Sequence, residues 1–473
     1  MSATPGTVDL LFTGGDIITV DQKAPYIQVG AVAIQGNKIV AIGSEASVKA
    51  RIKGAKRTID FSGQVMIPGL VDAHTHLFQS LGKTLGDGLS LLPWLERFML
   101  PLASQVSREQ AVIAVRFAAL LGALSGTTTV VDQHYAPVDE ESIQAVADAY
   151  QDVGIRATLA RGLFGPMTEG GRRMKCDERM FKYTVQQEMD ITRASMKAMA
   201  DMELVDIWPG PKNVVYADPD LLIGSSELAR DFDLSWQVHC SESKFEVEIF
   251  ESLYGNRPAA WLYAQNILGE HTTLAHGIWF DDEEIRMLGE TGTTIIHNPI
   301  SNQYLASGFM RLEDLLQAGA NVALGTDGTA VAGQNMFEAM KAGLMLQRVG
   351  RLDPEATTTE MLLTMATRLG GKMLRKNLGV LREGALADLT IVNTRALHHQ
   401  PCLRPVASLV FFTHGTDVRH VVVNGDLIVE NGRSTKLDQE KVVADMIQAS
   451  RALVEKAGIV DLLEPWQQPR LIS

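Results

Sequence analysis

The sequence predicts an α/β fold: a (β/α)8 TIM-like barrel with a small composite β-sandwich domain formed by both chain ends. Three observations carry this. From about residue 67, apolar β-runs alternate with helical patterns, the signature of a parallel sheet covered on both faces. Eight such units over roughly 300 residues favour a closed barrel over an open sheet. Short strands punctuated by glycine precede and follow this stretch, and each set alone is too short to bury a core.

Residues 1–66 carry the runs VDLLFTGG, DIITV, GAVAIQGNKIVAIG and KRTIDFSG, with turn signals at QGNK and SGQ and no helix of useful length. They form the N-terminal part of the small β domain. Residues 67–376 hold the barrel, with strands in VMIPGLVDAHTH, TTTVVDQH, IRATLAR, NVVYAD, LSWQVHCSE, TTLAHG, TTIIHN and NVALGTDG. Helical patterns lie between them, as in REQAVIAVRFAALLGALSG, EESIQAVADAYQDVG, SSELARDFD, DDEEIRMLGETG and RLEDLLQAGA. The charged stretch MTEGGRRMKCDERMFKY, residues 167–183, reads as a lid or interface loop. Strand rhythm returns over 377–435 in GVLREGALADLTIVN, ASLVFFTHG and VRHVVVNGDLIVENG, the C-terminal part of the small domain. Residues 436–473 comprise a terminal helix near 436–457 and an apolar tail, LLEPWQQPRLIS, suited to packing on the body or on a partner subunit.

Composition narrows the class. A chain of 473 residues that is 46% hydrophobic can bury a large core. A net charge of -13 argues against a nucleic-acid partner. No apolar run approaches the roughly 18 residues of a membrane span. MSATPGTVDLL lacks a basic segment leading into an apolar one, so no secretory signal is expected. Cys176, Cys240 and Cys402 are odd in number and far apart, which disfavours a disulfide scaffold and fits a cytoplasmic setting.

The chemistry sits at strand ends. His74 and His76 alternate on one strand and share a face. His239, with Glu242 three positions on, ends strand five; His276 ends strand six; Asp327 ends strand eight inside GTDG. In a barrel these ends share one mouth. Imidazoles and a carboxylate converging there suit Zn²⁺ or Fe²⁺. His74, His76, His239 and Asp327 are assigned as ligands of one divalent metal, with Zn²⁺ preferred and Fe²⁺ the alternative. A second ion would need a bridging group, often a carboxylated lysine at the end of strand four. With that strand at NVVYADPD, Lys212 lies before its beginning, at the wrong end. A divalent ion makes water a nucleophile near neutral pH. Asp327 is also positioned to take a proton from the water, and Glu242 to pass one to a heterocycle nitrogen. His276 has two open roles, ligand or acid/base group.

These motifs resemble the amidohydrolase superfamily: PGLVDAH leading into HTH, HxxE at 239–242, AHG around His276, HNPISNQYLASG from His297, GTDG around Asp327, and LREGALADLTIVN. The resemblance spans nearly the whole chain. It is strongest to the mononuclear branch of adenosine-type, guanine and 8-oxoguanine deaminases and triazine hydrolases. It implies a metal-dependent hydrolase acting on C–N bonds, with release of ammonia from a purine, pyrimidine or s-triazine. It implies catalytic roles for Glu242, His276 and Asp327, and a homodimer or higher homo-oligomer. Candidate substrate contacts are Phe78, Gln79, Trp94, His134, Arg161, Asn302 and Thr329, with Phe78 or Trp94 stacking on a flat ring and Arg161 holding a carbonyl or carboxylate. Arg161 in a rim salt bridge and the aromatics in the core are the plain alternatives. The adenosylhomocysteine and methylthioadenosine deaminase group carries a ribose-holding glutamate after the tryptophan. Here Ala103 or Ser104 stands at that place, which argues against a ribose-bearing substrate of that kind. Val331 and Ala332 suggest an apolar wall. Two other readings compete: a hydrolase releasing chloride or an alkylamine or cleaving a ring amide, and a catalytically silent barrel. The intact set of acid, base and ligand groups disfavours the silent barrel.

Overall fold

Residues 6–464 are described by a computed structural model. The chain opens with Thr7–Ile18 (β1), Tyr26–Gln35 (β2), Lys38–Ser44 (β3), Gly54–Asp60 (β4) and Val65–Pro68 (β5). The first three pair antiparallel, and β4 and β5 run parallel to successive parts of β1. Phe12, Val32, Ile34 and Phe61 are buried in one cluster with Met66 and Leu389 from farther along the chain. The runs VDLLFTGG and DIITV, expected as separate strands, are one continuous strand, β1, and a short helix, Glu45–Lys49, is added.

Parallel strands follow: Leu70–His76 (β6), Thr127–His134 (β7), Arg156–Leu163 (β8), Val205–Pro211 (β9), Trp236–Cys240 (β10), Thr272–His276 (β11), Thr294–His297 (β12), Asn321–Leu324 (β13) and the two-residue Asp327–Gly328 (β14). They form one sheet of order β14-β6-β7-β8-β9 and another of order β10-β11-β12-β13. A parallel bridge between Asn213 and His239 joins the two where β9 ends. β6, β7 and β8 are buried along their whole lengths, as strands covered on both faces must be. Polar caps start the intervening helices: Ser107 and Gln110 at Arg108–Leu124, Asp139 at Glu140–Val153, Asp281 and Glu284 at Asp282–Thr291.

Three local readings are corrected. The fourth parallel strand is VDIWPGP, not NVVYAD. Its two prolines look like strand breakers, yet β9 pairs only with β8 and lies at its sheet's edge, where a missing N–H is tolerated. The run VMIPGLVDAHTH divides at Gly69, so β5 joins the small sheet and β6 the parallel one. A Cβ on Gly69 would lie 2.1 Å from Thr128 Oγ1, and only glycine fits the crossing. NVALGTDG divides too. The buried Asp72 carboxylate accepts from the Thr326 backbone N–H (2.9 Å) and hydroxyl (2.5 Å), which draws Asp327 into register with Thr75 of β6.

Leu389–Val392 (β15), Val418–Val423 (β16), Asp426–Glu430 (β17) and Arg433–Ser434 (β18) complete the first sheet, ordered β18-β17-β16-β15-β5-β1-β2-β3 with β4 on β1. Nine strands from both chain ends thus hydrogen-bond together. The run ASLVFF, expected as a strand, is the helix Pro405–Phe412. Proline at its first turn favours a helix start, and contacts with the helices Met336–Arg351 and Thr359–Thr364 fix it; apolar content alone does not separate the two states. The last long helix is Gln439–Ala457, capped by Asp438. Most of the apolar tail, 465–473, lies outside the described residues. Within 167–183, a helix at Glu169–Arg173 and a 3₁₀ turn at Glu178–Met180 bury Met174, Cys176 and Met180, and Lys175 pairs with Glu96. That segment is packed rather than extended.

A buried ion pair fastens the parallel sheet to the mixed one. Arg156 Nε and Nη2 donate to Asp388 Oδ2 (3.0 Å) and Oδ1 (3.3 Å), and the Asn424 N–H donates to Oδ1 (2.6 Å). Asp388→Ala leaves the guanidinium buried and unpaired. It should cost about 3–5 kcal/mol, read as a lowered midpoint in thermal or denaturant unfolding of the full chain.

Candidate active site

The strand ends converge as the sequence implies. His74 and His76 close β6, His239 lies in β10 and Asp327 opens β14, and all four side chains are buried. His239 Nε2 is 3.2 Å from both His74 Nε2 and His76 Nε2. Asp327 Oδ1 is 3.3 Å from each of the latter two. A tetrahedral ion with bonds of about 2.0–2.1 Å has ligand–ligand edges of about 3.3–3.4 Å. The donor set therefore fits one divalent ion.

The tautomers agree. His74 Nδ1 bonds to Gln237 Oε1 (2.7 Å), His76 Nδ1 to the Gln133 carbonyl (2.8 Å) and His239 Nδ1 to the Lys212 carbonyl (2.6 Å). These acceptors put each proton on Nδ1 and turn three Nε2 lone pairs towards one point. Burial pushes His76 down to about 4 and His239 well below its ordinary value, so both rings stay neutral and able to ligate.

His276 differs. Its Nδ1 accepts from Asn302 Nδ2 at 2.9 Å, which leaves the proton on Nε2. That nitrogen lies 3.5 Å from Glu242 Oε2 and 3.8 Å from Asp327 Oδ2. Burial holds His276 neutral, at about 3. The two carboxylates it faces are driven apart. Glu242 is pushed well above the ordinary value by burial and by the charges of Glu246 and Asp327, although the Ser307 hydroxyl donates to it (3.2 Å). Asp327, in the donor set with His74 and His76, moves the other way, well below its ordinary value against the effect of burial, and the His276 Nε2 proton is turned towards it.

Lys212 is the largest correction. It follows β9 directly and so lies at the active end. Its Nζ is 3.2 Å from His239 Nε2, 3.3 Å from His76 Nε2 and 4.3 Å from the Tyr135 ring centre. Burial lowers its amine to about 8. The displaced strand assignment concealed this, and the positional argument against a second ion falls with it. The reading of one ion rests instead on the single compact cage.

The expected substrate contacts divide. Gln79, Trp94 and Val331 line the cleft over the cage, along with Lys212 and Glu242. The others turn elsewhere. Phe78 is fully buried edge-on to Tyr135, because the chain after His76 coils into a 3₁₀ helix that directs it into the core. His134 is buried beside Phe78 and Asp132. Arg161 donates from Nη1 to Glu188 Oε2 (2.7 Å) and Thr192 (3.0 Å) and from Nε to the Val138 carbonyl (2.9 Å), a buried salt bridge. Asn302 orients His276, and the Thr329 hydroxyl donates to the His76 carbonyl (2.9 Å). Ala103 and Ser104 bring no carboxylate to the cavity, and the Ser104 hydroxyl caps the Pro101 carbonyl. Gln237 and Tyr135 were missed; Gln237 reads as an ordinary interior strand residue, and only its pairing with His74 marks it.

Residues 65–428 match the model of the amidohydrolase family. The chain belongs to the amidohydrolase family. Among its relatives is a 5-methylthioadenosine/S-adenosylhomocysteine deaminase of Syntrophobacter fumaroxidans, 32% identical over 94% of this chain and 98% of that protein. A 5'-deoxyadenosine deaminase of Methanopyrus kandleri is 32% identical over 82% of this chain and 86% of that protein. A crystal structure of atrazine chlorohydrolase from Arthrobacter aurescens, complexed with zinc, superposes with a TM-score of 0.85 at 27% identity, over 93% of this chain and 100% of that one. An amidohydrolase that holds His74 through Gln237 depends on that amide. Gln237→Leu should weaken metal affinity by about 10–100-fold, measured by chelator competition.

Proposed function

We propose that this amidohydrolase is a metal-dependent aminohydrolase of an aromatic N-heterocycle, releasing ammonia from a purine, pyrimidine or s-triazine ring. The observation that carries the reading is geometric: two buried carboxyls, Glu242 and Asp327, face the same His276 Nε2 at 3.5 and 3.8 Å beside the donor cage, and burial favours the protonated form of Glu242. Hydrolytic deamination needs this pair, a base for the attacking water and an acid for the ring.

His74, His76, His239 and Asp327 would hold one ion, which we take to be zinc, as in the chlorohydrolase complex. When bound, the ion supplies Lewis-acid activation of water. Asp327 takes a proton from the attacking water as oxygen bonds to the amino-bearing carbon. Glu242 gives its proton to the adjacent ring nitrogen, so no charge accumulates on the ring. His276 donates from Nε2 towards the attacking oxygen and orients it. Asp327's proton then passes to the amino group, which leaves as ammonia while the hydroxyl's remaining proton returns to Glu242 and the ring C=O forms. Trp94, Leu91 and Val331 offer an apolar wall to a flat ring, and Gln79 a polar edge. We take the two parallel sheets as one closed barrel, which gives all these strand ends a common mouth.

The relatives named as deaminases of adenosine derivatives favour a purine. The chlorohydrolase likeness favours a second reading, displacement of chloride from a triazine, which needs no proton on the leaving group. A leaving-group screen decides between them. Metal-quantified enzyme is assayed for ammonia, chloride and amine on 5'-deoxyadenosine, methylthioadenosine, adenosine, guanine, cytosine, melamine and chlorotriazines. Ammonia is the expected product; chloride alone overturns the aminohydrolase reading. Glu242→Gln should lower the rate of ammonia release by about 10²–10⁴-fold with bound metal unchanged, and near-normal turnover would remove Glu242 from the proton path. Asp327→Asn should lower both turnover and metal retention, followed by rate assay and elemental analysis of the same sample.

A further inference from the structure

A second set of imidazoles converges far from the cage, in the connection between β15 and β16. His398 and His399 end a 3₁₀ turn, Leu397–His399, and Asp417 ends another, Gly415–Asp417. His398 Nε2 lies 2.8 Å and His399 Nε2 3.5 Å from the same atom, Asp417 Oδ2. The three donor atoms are all within 4.8 Å of one another. Consecutive residues normally send their side chains apart, and here two neighbouring rings turn to one carboxylate oxygen. The ring of His414 packs against that of His398, with centroids 4.7 Å apart.

The second observation is His399 itself. It is 2% exposed, and its Nε2 has no hydrogen-bond partner among the described residues. Its Nδ1 bonds to Ser408 Oγ at 2.8 Å, on the helix Pro405–Phe412. Ser408 satisfies Nδ1, and the Nδ1–H tautomer, with the hydroxyl accepting, turns an Nε2 lone pair towards the carboxylate. A buried lone pair opposite a carboxylate oxygen is unfavourable unless a cation lies between them. Holding the remote ring nitrogen in this way is how proteins orient a ligating imidazole.

We propose that His398, His399 and Asp417 form a second divalent-metal site, distinct from the catalytic cage and independent of the deaminase reading. Two imidazoles and a carboxylate suit zinc or a neighbouring transition ion rather than magnesium or calcium. His398 gives up the Nε2 proton it now donates to Asp417, the ion bonds to both Nε2 lone pairs and Oδ2, and water or His414 completes the coordination. The site clips together the two ends of the β15–β16 connection, which carries the helix Pro405–Phe412 against the parallel-sheet body. Its role is structural.

Metal counting on the full chain tests this. Stripped enzyme is reloaded with Co²⁺ or Zn²⁺, and the tightly held equivalents are measured by elemental analysis. Wild type should hold two equivalents, His239→Ala one, and His399→Gln one. Adding His399→Gln to His239→Ala should remove the last, together with its visible Co²⁺ absorption. One equivalent in wild type, none in His239→Ala, or two retained in His399→Gln each overturns the proposal. Should His399→Gln fail to fold, the partly exposed His398→Gln carries the same expectations.

Discussion

Three buried imidazole lone pairs and one carboxylate are held pointing at a common point, and the active end of this fold depends on that arrangement. Such groups repel one another and lose hydration, so their convergence is costly without a cation. The surrounding structure supplies what fixes them. Gln237 and two backbone carbonyls hold the Nδ1 protons. Asp72 ties the last strand to β6, and the Thr75 hydroxyl donates to the Asp327 carbonyl at 2.9 Å. His276 (φ 77°) and Asp327 (φ 65°) both adopt left-handed backbone conformations that non-glycine residues rarely occupy. Strain of this kind persists where neighbouring contacts over-determine it, and both residues lie at the donor cage.

The same convergence separates an acid from a base. Asp327 lies among histidines, and its carboxyl is shifted well below its ordinary value. Glu242 lies just before the helix that carries Glu246, and burial and that neighbouring charge push it well above its ordinary value, while Asn213 and the Ser243 N–H donate to Glu246 at 2.6 and 2.7 Å. His276 spans the two, its tautomer set by Asn302. Two carboxyls of similar intrinsic acidity are thereby shifted in opposite directions by what surrounds each, which is what the proposed acid and base roles require. Lys212 adds a cation at the rim of the cage, close enough to meet whatever occupies the cavity.

The mixed sheet serves the site from a distance. It is made from both termini, and the Arg156–Asp388 pair links it to β8. The two long-range devices, that pair and the clustering at Asp417, both occur where the returning chain meets the rest of the molecule. Neither touches substrate.

Much of this was legible in the sequence, for a definite reason. Strand alternation places His74 and His76 on one face, and a repeated strand–helix rhythm brings distant strand ends together, so HTH, HxxE, AHG and GTDG announce the cage and its acid before any coordinates. Local pattern also determined the helices with polar caps and the return of strands after residue 380. What it could not determine was anything decided by a neighbour. The proline-bearing strand VDIWPGP is stable because it lies at an edge, and that edge carries Lys212 to the active end. ASLVFF is a helix because two other helices contact it. Phe78, His134 and Arg161 have the right chemistry for a substrate, but packing against Tyr135, Asp132 and Glu188 turns them away. The sequence by itself determined which donors exist and which strand ends carry them, because that follows from local periodicity. Tertiary structure alone decided which side chains face the cavity, because that depends on contacts between residues far apart in the chain.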